Sequence, residues 1–329
     1  MRAGTGEPDL RAPSVFSPIL RVFKFVPLQM WTILVLFIAV GFLSPLFYMP
    51  KNLAYFFRQN TPAAFLAIGE CFVILSGGFD LSIGSTMSFI SALASGLMVA
   101  RFENLWWVLL LCLAIGFGIG FVNGIITTKL KVPSFLTTLG MMIILQGAAL
   151  VYTGGMPKGG FPDEFRNFGL GRLFGVPYIV LILILVAVIA QIFLRKTEIG
   201  RSILAVGGND IASNLMGIRV DRVRILCFIL SSFFSSLGTL LMVSTFRVWD
   251  VNMGFNMEFE AITMVIVGGA AIGGGKGSVG TTIIGWIIMS MLFTLLNLLG
   301  FPQSGRLLAQ GVVVLFAVFT NVEARRGIS

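Results

Sequence analysis

The feature that most constrains this chain is a series of about ten apolar runs, each near the length needed to cross a lipid bilayer. A spanning helix needs about 20 mostly apolar residues. The runs fall at 28–47, 61–75, 85–100, 105–127, 133–152, 177–194, 223–243, 259–272, 281–299 and 307–320. Only 11% of the 329 residues are charged and 57% are hydrophobic, with mean hydropathy +0.96. A soluble domain carries about 25% charged residues. A bilayer resolves the excess, because lipid solvates the outer surface and each helix satisfies its own backbone. The expected fold is all-α: a polytopic bundle of about ten transmembrane helices over residues 28–320, with tails at 1–27 and 321–329. The first tail, with Pro8, Pro13, Pro18 and Pro27, lacks the apolar stretch and cleavage site of a signal peptide.

The net charge of +9 invites a nucleic-acid reading. The basic residues, however, are scattered between apolar runs without the aromatic interleaving that stacks bases. Orientation in a membrane explains them better. With both termini cytoplasmic, fifteen Lys and Arg fall inside, among them Arg2, Arg11, Arg21, Lys24, Lys129, Arg195 and Arg224. Eight fall outside, including Lys51, Lys158, Arg247 and Arg306. Cytoplasmic loops carry that excess. Trp106, Trp107 and Trp249 lie at predicted span ends, where interfacial anchors belong.

Cys71, Cys112 and Cys227 sit inside apolar runs and read as small core hydrophobes. The chain has no histidine, which removes the commonest general base and metal ligand. Gly116, Gly120 and Gly124 recur at every fourth position, so one face of that span admits close approach of another helix. The segment 268–280 (GGAAIGGGKGSVG) imitates a phosphate-binding loop. Ala270 stands at the first required glycine, and Gly277 replaces the hydroxyl that would hold magnesium. A tight turn between closely packed spans is expected there, and no cofactor.

Glu70 lies within the second apolar run and Asp80 follows in LSGGFDLSIG. A carboxylate at mid-bilayer costs roughly 2.5–3.5 kcal/mol on insertion scales. Glu70 either lines a polar route or serves internal hydrogen bonding. Asp80 either shares that route or caps the helix that begins near Leu81. The longest polar stretch, 195–224, shows Ile203, Leu204 and Val206, a Gly207-Gly208 break, then Ile211, Leu215 and Met216 at helical spacing. A break followed by a short amphipathic helix forms a knob that docks in a partner's groove or a helix lying in the headgroup layer.

The segments AIGECFVILSGGFDLSIG (67–84), KVPSFLTTLGMM (131–142), TEIGRSILAVGGNDIASNLMGI (197–218) and EFEAITMVIVGGAAIGGGKGSVG (258–280) occur in that order. Together they resemble the permease subunits of bacterial ATP-binding cassette importers for ribose and related monosaccharides, over nearly the whole chain beyond the first tail. Glu260 departs from the family, which usually has Asp there. The resemblance implies an inner-membrane permease without enzymatic activity of its own, translocating a monosaccharide, a pentose such as ribose favoured. It implies a second permease copy or a sister permease, ATP-binding cassette ATPase subunits below, a periplasmic sugar-binding protein above, and lipid around. It assigns Gly200, Gly207, Gly208, Asn209, Ala212 and Gly217 to coupling with the ATPase. Glu70, Asp80, Ser82, Asn123 and Glu258 become the expected lining of the route. Branched-chain amino acid permeases are more distant relatives. An ion-coupled secondary transporter would share the spans but has no need of a docking knob. An intramembrane enzyme would require paired acids on facing helices, which the spacing of Asp80 and Glu258 does not recommend.

Overall fold

A computed structural model describes residues 28–99, 101–156, 160–245, 250 and 252–326. The expected tail 1–27, with its basic residues, lies outside these residues, as do Lys158, Arg247, Trp249 and the last three residues. Among the described residues there are thirteen α-helices. They are α1 (Leu28–Leu43), α2 (Pro50–Leu75), α3 (Ile83–Met98), α4 (Leu105–Lys129), α5 (Ser134–Thr153), α6 (Asp163–Leu170) and α7 (Tyr178–Lys196). There follow α8 (Glu198–Gly208), α9 (Asp210–Leu215), α10 (Val220–Val243), α11 (Met257–Val267), α12 (Val279–Leu298) and α13 (Gln303–Arg326). One antiparallel pair, β1 (Arg172–Leu173) with β2 (Val176–Pro177), precedes α7.

Ten of these helices fall on the ten apolar runs, and α6, α8 and α9 occupy polar connections. Five helical stretches, at 102–129, α5, α7, α10 and α12, are long and apolar enough to cross a membrane. The fold is therefore an all-α, multi-pass membrane bundle. The remaining helices fall short for visible reasons. Helix α2 carries Lys51, Arg58 and Glu70, α3 is only 16 residues long, and α11 only 11. The run expected at 259–272 leaves the helix after Val267, where Gly268 and Gly269 (φ +95°) turn the chain.

Helix α10 lies at the centre. The small-residue face of α4 meets it as expected: a Cβ on Gly120 would sit 2.6 Å from the Ile229 Cα, and one on Gly124 2.7 Å from the Ile225 Cα. On the opposite side, a Cβ on Gly69 of α2 would sit 2.8 Å from the Ser231 carbonyl. Backbones approach this closely because membrane helices associate through small residues rather than through expulsion of water. Every residue of α2 from Thr61 to Leu75 is buried, as expected of a helix that is apolar all round. Trp286 of α12 donates its indole N–H to the Asn60 carbonyl at 2.8 Å, tying α12 to α2. Cys71, Cys112 and Cys227 are buried free thiols in this core. Trp106 and Trp107 are exposed at the start of α4, the place expected of an interfacial anchor.

Candidate functional site

Between α2 and α3 the chain is non-helical from Ser76 to Ser82, although Ser76, Asp80, Leu81 and Ser82 are buried. Backbone groups in such a place need partners, since neither water nor lipid supplies them. All seven N–H groups are satisfied. Those of Ser76, Gly77 and Gly78 donate back to the last turn of α2, at 3.1 Å (Phe72), 3.0 Å (Ile74) and 3.0 Å (Val73). Phe79 donates to Ser134 Oγ at 3.3 Å and Leu81 to Thr138 Oγ1 at 3.1 Å, both on α5. Asp80 donates to Glu70 Oε1 at 3.2 Å, and Ser82 to Asp80 Oδ1 at 2.9 Å.

Four of the five residues expected to line the route, Glu70, Asp80, Ser82 and Asn123, thus meet. Asn123 Nδ2 donates to Ser82 Oγ at 2.9 Å, and Ser82 Oγ donates to Asp80 Oδ1 at 2.6 Å. With the Asp80 N–H on Glu70, four residues from α2, α4 and the unwound segment form one chain. Glu258, 5% exposed, lies on the other side of α3, where a Cβ on Gly84 would collide with its carboxylate. Glu70, Asp80, Ser82 and Asn123 are fully buried. Glu70 makes an internal hydrogen bond through Oε1, while its Oε2 is buried without a hydrogen-bond partner among the described residues. Asp80 does not cap α3, which begins at Ile83 with Ser82 at its N-cap position and no side-chain cap; its Oδ1 instead accepts the Ser82 N–H in the turn before the helix. Ser134 and Thr138 were not singled out by sequence reasoning; their signal was hydroxyls in an otherwise apolar run.

At one end of the bundle, α8 and α9 form a compact knob. Thr197 caps α8, its Oγ1 accepting the Gly200 N–H at 3.0 Å. Gly200 is buried, with its missing side chain facing the carbonyls of Phe193 and Leu194, which lets α8 turn sharply off α7. The break expected at Gly207-Gly208 falls one residue later, at Asn209. Its extended backbone (φ −161°, ψ 106°) separates the helices, and its Oδ1 accepts the Ala212 N–H at 2.9 Å to start α9. Gly207 sits over the end of α2: a Cβ there would occupy the place of the Leu75 carbonyl oxygen. That oxygen instead accepts the Gly275 N–H at 3.0 Å, so the 268–280 loop closes the same contact. The expected tight turn is present, with the Ala271 N–H on the Lys276 carbonyl at 2.8 Å. Gly217, at φ +84°, lets the chain reverse into α10. Asp210 binds Arg224 at 3.1 Å and holds α9 against α10.

The knob's outer face is apolar and open. Ile211 is 73% exposed, Leu215 84% and Met216 70%. Of the six expected coupling residues, Gly208, Asn209 and Gly217 reach the surface and Ala212 is half-buried, while Gly200 and Gly207 face inward. Beside the knob opens a cavity of about 990 Å³, lined by Gly77, Lys129, Lys131, Asp210, Arg219 and Arg222. Five of the basic residues that the charge bias assigned to one side, Lys129, Lys131, Arg219, Arg222 and Arg224, line this one cavity.

The family described as branched-chain amino acid transport system / permease component matches residues 52–320, and the chain belongs to it. It is similar to the ribose import permease protein RbsC of Escherichia coli (strain K12), 37% identical over 293 residues, 88% of this chain and 91% of that one. RbsC of Haemophilus influenzae is 36% identical over 293 residues, covering 88% and 90%. The galactose/methyl galactoside import permease protein MglC of Salmonella typhimurium is 31% identical over 305 residues, covering 87% and 90%. No solved structure matches.

Proposed function

We propose that this chain is the membrane-spanning permease subunit of an ATP-binding cassette importer that carries a monosaccharide, ribose favoured, across the bacterial inner membrane. The observation that carries this reading is similarity along 88% of the chain to permeases named for ribose import. The family's own description names branched-chain amino acids. The sugar reading is preferred because relatives named for ribose and galactose match nearly end to end.

In this reading about ten helices cross the membrane, and both termini and the 195–224 segment face the cytoplasm. Hydrolysis of ATP belongs to separate ATPase subunits. A cleft in each ATPase receives α9, with Gly208, Asn209, Ala212 and Gly217 at the contact, while Gly200 and Gly207 fix how the knob sits on α7 and α2. Closure of the ATPases pushes the knob, and the Gly207–Leu75 contact passes that movement to α2 and the unwound segment. Glu70, Asp80, Ser82, Asn123 and Glu258 shape the wall of the route by holding that segment and the first turn of α3. A second copy or a sister permease completes the route, and a periplasmic sugar-binding protein delivers the substrate.

Uptake of radiolabelled ribose, galactose and leucine by cells expressing the whole system tests the substrate class. Ribose uptake is expected; uptake of leucine alone would overturn the sugar reading.

A further inference from the structure

At the end of the bundle opposite the knob lies a second cavity, of about 270 Å³, between α2, α12, the first turn of α13 and the 3₁₀ turn Pro45–Tyr48. Gln59, on its wall, is 16 residues from Leu75, or about 24 Å along α2. Polar residues Lys51, Asn52, Arg58, Gln59 and Asn60 crowd this first part of α2, ahead of its buried apolar part. The cavity therefore opens where the helix leaves the lipid. Its volume is near the lower end of the ~300–1,000 Å³ range of small-molecule sites, which suits a ligand of monosaccharide size.

The lining has two chemistries. Phe47, Tyr55, Phe56 and Phe293 supply aromatic surface, with the Phe47 ring edge-on to Phe56 at 5.5 Å. Asn52, Gln59, Asn60, Thr294, Asn297 and Arg306 supply polar groups. Several of these are uncommitted. The side chains of Gln59 and Asn297 make no hydrogen bond among the described residues. Asn52 and Asn60 spend their amide N–H groups on the carbonyls of Leu46 (2.7 Å) and Phe56 (2.8 Å), leaving each Oδ1 as an acceptor. Arg306 Nε is buried without a hydrogen-bond partner. No acidic side chain lines the cavity among the described residues.

A sugar presents hydroxyls that both donate and accept, and amides answer both functions. Its C–H face carries partial positive charge suited to the electronegative face of an aromatic ring. Asn52, Gln59, Asn60, Thr294 and Asn297, against the single charged side chain of Arg306, suit a neutral polyol better than an anion. Resting on the importer reading above, we propose that this cavity is an entry subsite for a neutral monosaccharide, with Gln59, Asn297 and Arg306 as its hydrogen-bonding residues.

The test uses Gln59→Cys and Asn297→Cys in the assembled complex in right-side-out vesicles, labelled with an impermeant maleimide. Cys71, Cys112 and Cys227 are buried and stay silent, and Phe174→Cys, 98% exposed and not among the cavity's lining residues, is the control. Ribose or galactose at about twice a millimolar Kd should slow labelling about three-fold at both cavity positions and leave Phe174→Cys unchanged. Unchanged labelling at both positions, with wild-type sugar uptake intact, overturns the subsite and leaves the importer reading standing. Protection by gluconate but by neither sugar overturns the neutral class. Absence of wild-type uptake of any monosaccharide overturns both.

Discussion

Glu70 Oε1 accepts the backbone N–H of Asp80 at 3.2 Å, so one buried carboxylate satisfies the main chain beside another. The bond ties the interior of α2 to the unwound segment through which α3 begins. An acidic residue in an apolar run here does structural service to backbone that has left the helix.

Glu70→Gln keeps an acceptor carbonyl and should preserve folding and uptake. Glu70→Leu removes the acceptor, leaves the Asp80 N–H unpaired, and should destabilise the subunit by about 1–3 kcal/mol. The measurement is thermal loss of monodisperse subunit in detergent. A Leu variant as resistant as wild type would contradict the role given to Glu70.

Gly207 and Gly208 are neighbours with different surroundings. A side chain on Gly207 meets the Leu75 carbonyl, whereas one on Gly208 meets nothing within 4 Å. Gly207→Val should therefore reduce the amount of folded subunit in the membrane, with an overpacking cost of about 1–3 kcal/mol. Gly208→Val should leave that amount unchanged while lowering transport at least ten-fold. Equal behaviour of the two variants in both assays would sink the distinction.

The exposed apolar face of α9 should be required for the ATPase and not for the fold. Ile211→Asp and Leu215→Asp place charge where both residues are more than 70% exposed. Membrane levels should match wild type, and the ATPase should no longer co-purify. Retained co-purification with normal transport would leave α9 a surface helix only.

Much of this fold was legible because lipid imposes long apolar runs, and each of the ten runs holds a helix. The face of Gly116, Gly120 and Gly124 announced a close neighbour, although only the structure identifies α10 as that neighbour. The knob at 195–224 was legible from its periodicity. Its seat was not, because the Leu75 carbonyl and the Gly275 N–H are backbone groups that no side-chain pattern records. The roles of Glu70 and Asn123 were equally hidden. A buried polar side chain in sequence does not say whether its partner is a ligand or the protein's own main chain.

The proposed orientation, with 195–224 in the cytoplasm, rests on the excess of Lys and Arg assigned to that side, Lys129, Lys131, Arg195 and Arg224 among them. Asn214→Cys on α9 should react with an impermeant maleimide only in inside-out vesicles, and Gln59→Cys only in right-side-out ones. The native thiols are buried and should not interfere. Reaction of Asn214→Cys from the outside would reverse the topology.

The most direct test reconstitutes this chain with the proposed ATPase and sugar-binding partners in proteoliposomes and follows radiolabelled ribose under two driving forces. Accumulation that requires ATP, is lost with Leu215→Asp, and is indifferent to a proton or sodium gradient is the predicted result. Accumulation driven by an ion gradient without ATP would contradict the account.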